Sequence, residues 1–184
     1  MSKADFDAFV KRQQVDEEEK VGFDPAKELR EWLEYLNALY EQIKGYLKTY
    51  VDNGTAKITL RDIRLNEEFS GGYTASELIL TIGRSTVTFT PIGTMLIGSK
   101  GRVDAQGPLG KVRLALVNKA VTNARQLIQV TARVVGDPPP SPTPKRAKQH
   151  IEWAWKISTP PPEMEFIELT QSAFFNMILA LANG

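Results

Sequence analysis

Residues 24–51 constrain the fold more than any other stretch. Leu29, Trp32, Leu33, Leu36, Leu39, Tyr40, Ile43, Leu47 and Tyr50 recur there at helical spacing and predict one long amphipathic helix. Asp24 followed by Pro25 is a start signal, because a side-chain oxygen satisfies a free backbone N–H and proline's fixed φ suits the first helical position. Asp52, Asn53 and Gly54 supply the stop. The opposite face carries Lys27, Arg30, Glu31, Glu34, Glu41, Lys44 and Lys48. Its Lys27–Glu31, Arg30–Glu34 and Glu41–Lys44 spacings add only about 0.2–0.5 kcal/mol each. The apolar stripe must be covered, either by the chain's own sheet or by a second helix in a coiled coil. Aromatic residues at Trp32, Tyr40, Tyr46 and Tyr50 spoil a clean coiled-coil seam and favour burial in a globular core.

Almost everything after the helix reads as strand. Residues 57–65 alternate through Ile58, Leu60, Ile63 and Leu65 with a change of phase at Arg61-Asp62 that suggests a β-bulge. Residues 73–82 and 86–90 form a hairpin pattern around Gly83-Arg84-Ser85, after which Pro91 interrupts the ladder. Residues 95–97, 102–105, 111–118 and 127–135 read as further short strands separated by glycines at 98, 101, 107 and 110. If 111–118 and 127–135 pair as a hairpin, Lys111, Arg113, Arg125 and Arg133 share a basic outer face. Residues 151–157 put Ile151, Trp153, Trp155 and Ile157 on one face. A short strand at 164–169 then leads to a final helix capped by Thr170, with Leu169 stapled to Phe174.

The expected fold class is therefore α+β. A long N-terminal amphipathic helix packs on a curved, mainly antiparallel sheet of about six to eight short strands, and a C-terminal helix closes one end. Residues 1–23 read as an N-terminal arm, with a short helix presenting Phe6, Phe9 and Val10 and an acidic linker at 16–20. Residues 24–184 read as a single domain containing a Pro-rich connector at 137–144, a spacer rather than an SH3-type ligand. The apolar side of the arm needs a dock, and Phe6, Phe9 and Val10 are the candidate partner-binding residues.

Composition removes most enzyme chemistry. The chain has no cysteine and one histidine, His150, so every thiolate, zinc-cysteine and two-histidine site is excluded and any Ser-His-Asp triad must run through that residue. The remaining material is carboxylate, with Asp62, Glu67, Glu68, Glu77 and Asp104 as the pool and none at diagnostic spacing. No cofactor and no metal is expected. No apolar run approaches the roughly 20 residues of a membrane span, and the first residues lack the core of a secretory signal, so a cytoplasmic location is the expectation.

Net charge is +1, yet residues 96–150 hold ten cations against Asp104 and Asp137. Lys100, Arg102, Lys111, Arg113, Arg125 and Arg133, with a basic arm at Lys145, Arg146 and Lys148, are candidate phosphate contacts. The other reading is that they face the chain's own acidic regions. Two motifs fail closer inspection. Residues 93–100 have the glycine spacing of a P-loop but reverse its Lys-Ser ending. Residues 97–101 look like the GXXG loop of KH domains, but their flanks read as strands where that loop joins two helices. Glycines in a tight turn explain both.

The function expected from these residues is a non-catalytic intracellular binding or adaptor module. It would work through protein contacts made by the N-terminal segment, the sheet's edges or the Pro-rich connector, with a protein partner or a second copy of the chain. Nucleic-acid binding by the basic face is the alternative, and a carboxylate-dependent metalloenzyme is third.

Overall fold

The computed structural model describes residues 24–67, 70–94, 99–126, 151–162 and 164–182. Its first element, α1 (Pro25–Asp52), follows the spacing of its apolar residues. Asp24 accepts hydrogen bonds from the backbone N–H groups of Ala26 (3.0 Å) and Lys27 (3.2 Å), satisfying donors that the first turn leaves free. At the other end Gly54 takes φ +77°, which a residue with a Cβ adopts only under strain, and the chain turns back into the sheet.

The strands are β1 (Ala56–Glu67), β2 (Gly71–Ile82), β3 (Ser85–Gly93), β4 (Ser99–Gly107), β5 (Gly110–Asn118), β6 (Trp153–Ser158) and β7 (Phe166–Glu168), followed by helix α2 (Gln171–Ala182). They form one antiparallel sheet in the order β1-β2-β3-β4-β5-β6-β7, each strand beside its neighbours in sequence, and the sheet does not close. This is the α+β architecture expected from the sequence, with both helices and the sheet as described there.

Cross-strand register explains the core. Leu78, Phe89, Ala105 and Val112 lie in one row across β2 to β5, and Pro91, Val103, Leu114 and Ile157 in the next, across β3 to β6. These rows meet the stripe of Trp32, Leu36, Leu39, Tyr40, Ile43 and Leu47 on α1, and Phe174, Met177, Ile178 and Leu181 on α2. Each fully buried large side chain in this layer contributes about 1.5–3 kcal/mol of transfer free energy. Gly101 lets the sheet and helix touch, since a Cβ there would overlap the ring of Trp32. Its role is close approach within β4, where the sequence suggested a turn.

Four expectations need correction. The β1–β2 ladder runs from Ala56↔Ile82 to Glu67↔Gly71 without a register break, so there is no bulge at Arg61-Asp62. The irregularities fall at Pro91/Gly93 and Ser99/Gly101. The change of phase in β1 is matched in β2, where burial switches from Tyr73, Ala75 and Glu77 to Leu78 and Leu80, as a twisting two-stranded ribbon presents its two faces in turn. Second, β5 has β4 and β6 as its neighbours, so its hairpin with 127–135 is overturned; that segment lies outside the described residues. Third, Tyr50 is 47% exposed at the end of α1 and meets the edge of Phe175 instead of entering the core. Finally, Lys156, expected on a polar face, is buried, and its Nζ donates to the carbonyls of Lys119 (2.7 Å) and Val121 (2.8 Å).

Candidate binding surface

β1 is the first strand of a meander, so among the described residues its only neighbour is β2 and the N–H and C=O groups of its other edge have no strand partner. The opposite edge of the sheet is β7, only three residues long. The twelve residues of β1 make it the long edge, and Leu60 stands on it 46% exposed.

An open groove of about 730 Å³ runs between this edge and α1, lined by Glu41, Lys44, Gly45, Lys48, Val51, Asp52, Ile58 and Leu60. Gly45 is part of its lining, with open space where a Cβ would sit. Ion pairs Lys44–Glu41 (2.8 Å) and Lys48–Asp52 (2.7 Å) hold the charged side chains of the helix to one another along its rim. A second cleft of about 300 Å³ lies where α1, the start of β1, the end of β2 and α2 meet; Tyr50, Ala56, Ile82 and Leu179 are among its walls. Tyr50, Val51, Leu60, Ile82 and Leu179, all exposed and apolar, therefore gather on these two adjoining depressions. The sequence reading placed Leu60 and Ile82 in strands but could not show that β1 has no outer neighbour among the described residues. Gly45 among charged helix residues was the available signal for the groove.

Three of the five basic candidates among the described residues are engaged within the chain. Lys100 of β4 reaches α1, pairing with Glu31 and with Glu28 (3.4 Å), while its Nζ sits 5.5 Å from the centre of the Trp153 ring. Arg102 makes a two-pronged pair with Asp104 (2.6 and 2.8 Å), and Lys111 adds a third contact at 3.1 Å. Burial pushes the Asp104 carboxyl up, and the bonds from Arg102 and Lys111 outweigh it, leaving the group below the ordinary aspartate range. Arg113, exposed on the same outer face, and Arg125, beside a cleft of about 230 Å³ formed with Pro162 and Met164, make no ion pair among the described residues. Arg133, Lys145, Arg146 and Lys148, like Phe6, Phe9 and Val10, lie outside the described residues.

The carboxylate pool is dispersed. Glu67 accepts from the hydroxyl of Tyr73 and the backbone N–H of Thr94 (3.1 Å), and Glu77 is buried against Arg61 and Thr90. Burial first, and then the Glu67 carboxylate, push the Tyr73 phenol up. Among the described residues no three His, Cys, Asp or Glu side chains are grouped to hold a metal; Glu68 and His150 lie outside them. Trp155 is buried and donates from Nε1 to the Tyr35 carbonyl (2.9 Å), so it belongs to the core, whereas Trp153 is half-buried beneath Lys100. Among the described residues no helix is long and apolar enough to cross a membrane.

The chain matches no protein-family model, no curated protein and no solved structure.

Proposed function

We propose that this chain is a non-catalytic protein-binding module that takes a partner's strand along the free edge of β1. The observation that carries this reading is the gathering of exposed apolar side chains at that edge. Leu60 and Val51 line the groove beside it, and Tyr50, Ile82 and Leu179 line the adjoining cleft. Strand addition draws affinity from main-chain hydrogen bonds to the unpaired edge and specificity from pockets that receive alternate side chains. The groove beside Gly45 is such a pocket, bounded by charges already tied to each other. The cationic face offers less to a polyanion, because Lys100, Arg102 and Lys111 already hold carboxylates.

The test is Leu60→Asp. Leu60 is 46% exposed, so a charge there leaves the core intact, and the expected change in stability is within about 0.5 kcal/mol. The tagged chain recovered from its own cell extract should run as a particle heavier than one chain, and the Leu60→Asp variant should run at the mass of one chain with an unchanged Tm. Wild-type protein recovered at the mass of a single chain would reject the proposal.

A further inference from the structure

Resting on the reading of β1 as the binding edge, we infer that the strand it receives is the β1 of a second copy of this chain, paired antiparallel about a two-fold axis through Ile63. A two-fold axis normal to a continued sheet sets residues of the same side-chain face opposite one another, so the register is fixed by which residue lies on the axis.

The charges of β1 discriminate among these registers. With Arg61 or Arg64 on the axis a guanidinium faces its own copy, and with Asp62 there two carboxylates meet. With Thr59 on the axis Lys57 faces Arg61. Centred on Leu60, the strand's ions Lys57, Arg61, Asp62 and Arg64 meet only Ile63, Thr59, Ile58 and Ala56, and centred on Leu65 its Arg64 and Glu67 meet Asn66 and Ile63. With Ile63 on the axis Asp62 faces Arg64 of the second copy, Arg64 faces its Asp62, and no like charges stand directly opposite. The same register lays the stem of Arg61 against Leu65, Leu60 against Asn66 and Thr59 against Glu67.

Asp62 and Arg64 are both exposed and neither has an ion partner among the described residues. Asp62 only accepts from Ser76 Oγ at 3.2 Å, and Arg64 lies over Gly72. The two ions are thus free for each other across the axis. They form an alternating square whose four neighbouring contacts are attractive. The result is one sheet continued through both copies, with the long exposed edge of each removed.

The purified full chain tests this without any other protein. By light scattering at micromolar concentration the wild type should have the mass of two chains. Asp62→Arg and Arg64→Asp should each raise the dimer Kd more than tenfold, and the double reversal should restore it, which also shows that the reversed strand folds. Because the chain has no cysteine, Ile63→Cys supplies a single thiol at the axis. A short thiol-to-thiol crosslinker should join two such chains. It should fail with Thr59→Cys, whose copies would stand about 26 Å apart at roughly 3.3 Å per residue. A monomeric wild type, a dimer indifferent to both single reversals, or crosslinking at 59 and not at 63 would overturn the inference. If the monomeric protein still acquires a different polypeptide from extract and loses it on Leu60→Asp, the binding-edge reading survives and only the identity of its occupant fails.

Discussion

Tyr40 lies on the buried stripe of α1, yet its hydroxyl also bonds the helix to the sheet. It donates to the carbonyl of Ser76 at 2.6 Å and lies 3.4 Å from that of Phe89, beyond the last β2–β3 pair at Leu78↔Phe89, where the two strands part. Burial holds the phenol protonated far above its ordinary range, with the nearby Glu77 carboxylate adding to the effect. Tyr40→Phe should therefore keep the packing and strand a buried acceptor, costing about 1–2 kcal/mol. At this chain length that lowers Tm by roughly 2–8 °C in thermal unfolding followed by circular dichroism. An unchanged Tm would mean that water replaces the hydroxyl. The stripe containing Tyr40 was readable from spacing alone, but its acceptors were not, because they depend on where two distant strands separate. Lys156 is the counterpart. Alternation put it on a polar face, and only the turn at 119–121 folding over β6 reveals that the amine ends on two buried carbonyls.

At the level of elements, a segment was legible wherever local chemistry specified it. Cap, proline and glycine bracket α1 at 25–52 against an expectation of 24–51. Thr170 caps α2 through the N–H of Ala173 (3.2 Å), with Leu169 and Phe174 both buried as a staple requires. Neighbours were harder to read, because β5 lies beside two strands and its second partner, β6, is separated from it by a long intervening segment. The glycines were read as turn formers, yet Gly107 marks a contact. A Cβ on it would press into the carbonyl of Leu181, the same oxygen that accepts from Leu109 N at 3.1 Å. The tip of the β4–β5 hairpin thus holds the last turn of α2. Gly107→Ala should push that turn away at a cost of about 1–3 kcal/mol. Hydrogen exchange should accelerate in the last turn of α2 and stay unchanged in the middle of α1. Acceleration everywhere alike would show that the contact is not local.

For the molecule as a whole, the uneven charge visible in the sequence is partly settled inside the fold. Lys100, from the cationic region, pairs with Glu28 and Glu31 on α1, and Lys119 pairs with Glu152 at 2.8 Å. The sequence showed the imbalance but could not say whether an external partner or the chain itself answered it. The Lys100 pair joins the N-terminal half of the long helix to the middle of the sheet, and its pH dependence can be worked out from both members. The hydrogen bond from Lys100 holds the Glu31 carboxyl below its ordinary value of 4.5, so its contribution is complete above that pH and is lost as acid titrates the folded group. Burial pulls Lys100 down, but Glu31 and Glu28 together raise it above 10.5, so its contribution is complete below that pH and disappears as alkali titrates the folded amine. Lys100→Met should therefore lower stability between about pH 4.5 and 10.5 and converge on the wild type outside that window. Both ions are partly solvated, which limits the loss to about 1 kcal/mol and makes it shrink as salt screens the pair. Urea unfolding of the two proteins at pH 7 in low and in molar salt, and again at pH 3, measures both dependences. A difference undiminished between pH 7 and pH 3 would show that the lysine acts through its contact with the Trp153 ring and not through its pairing with Glu28 and Glu31.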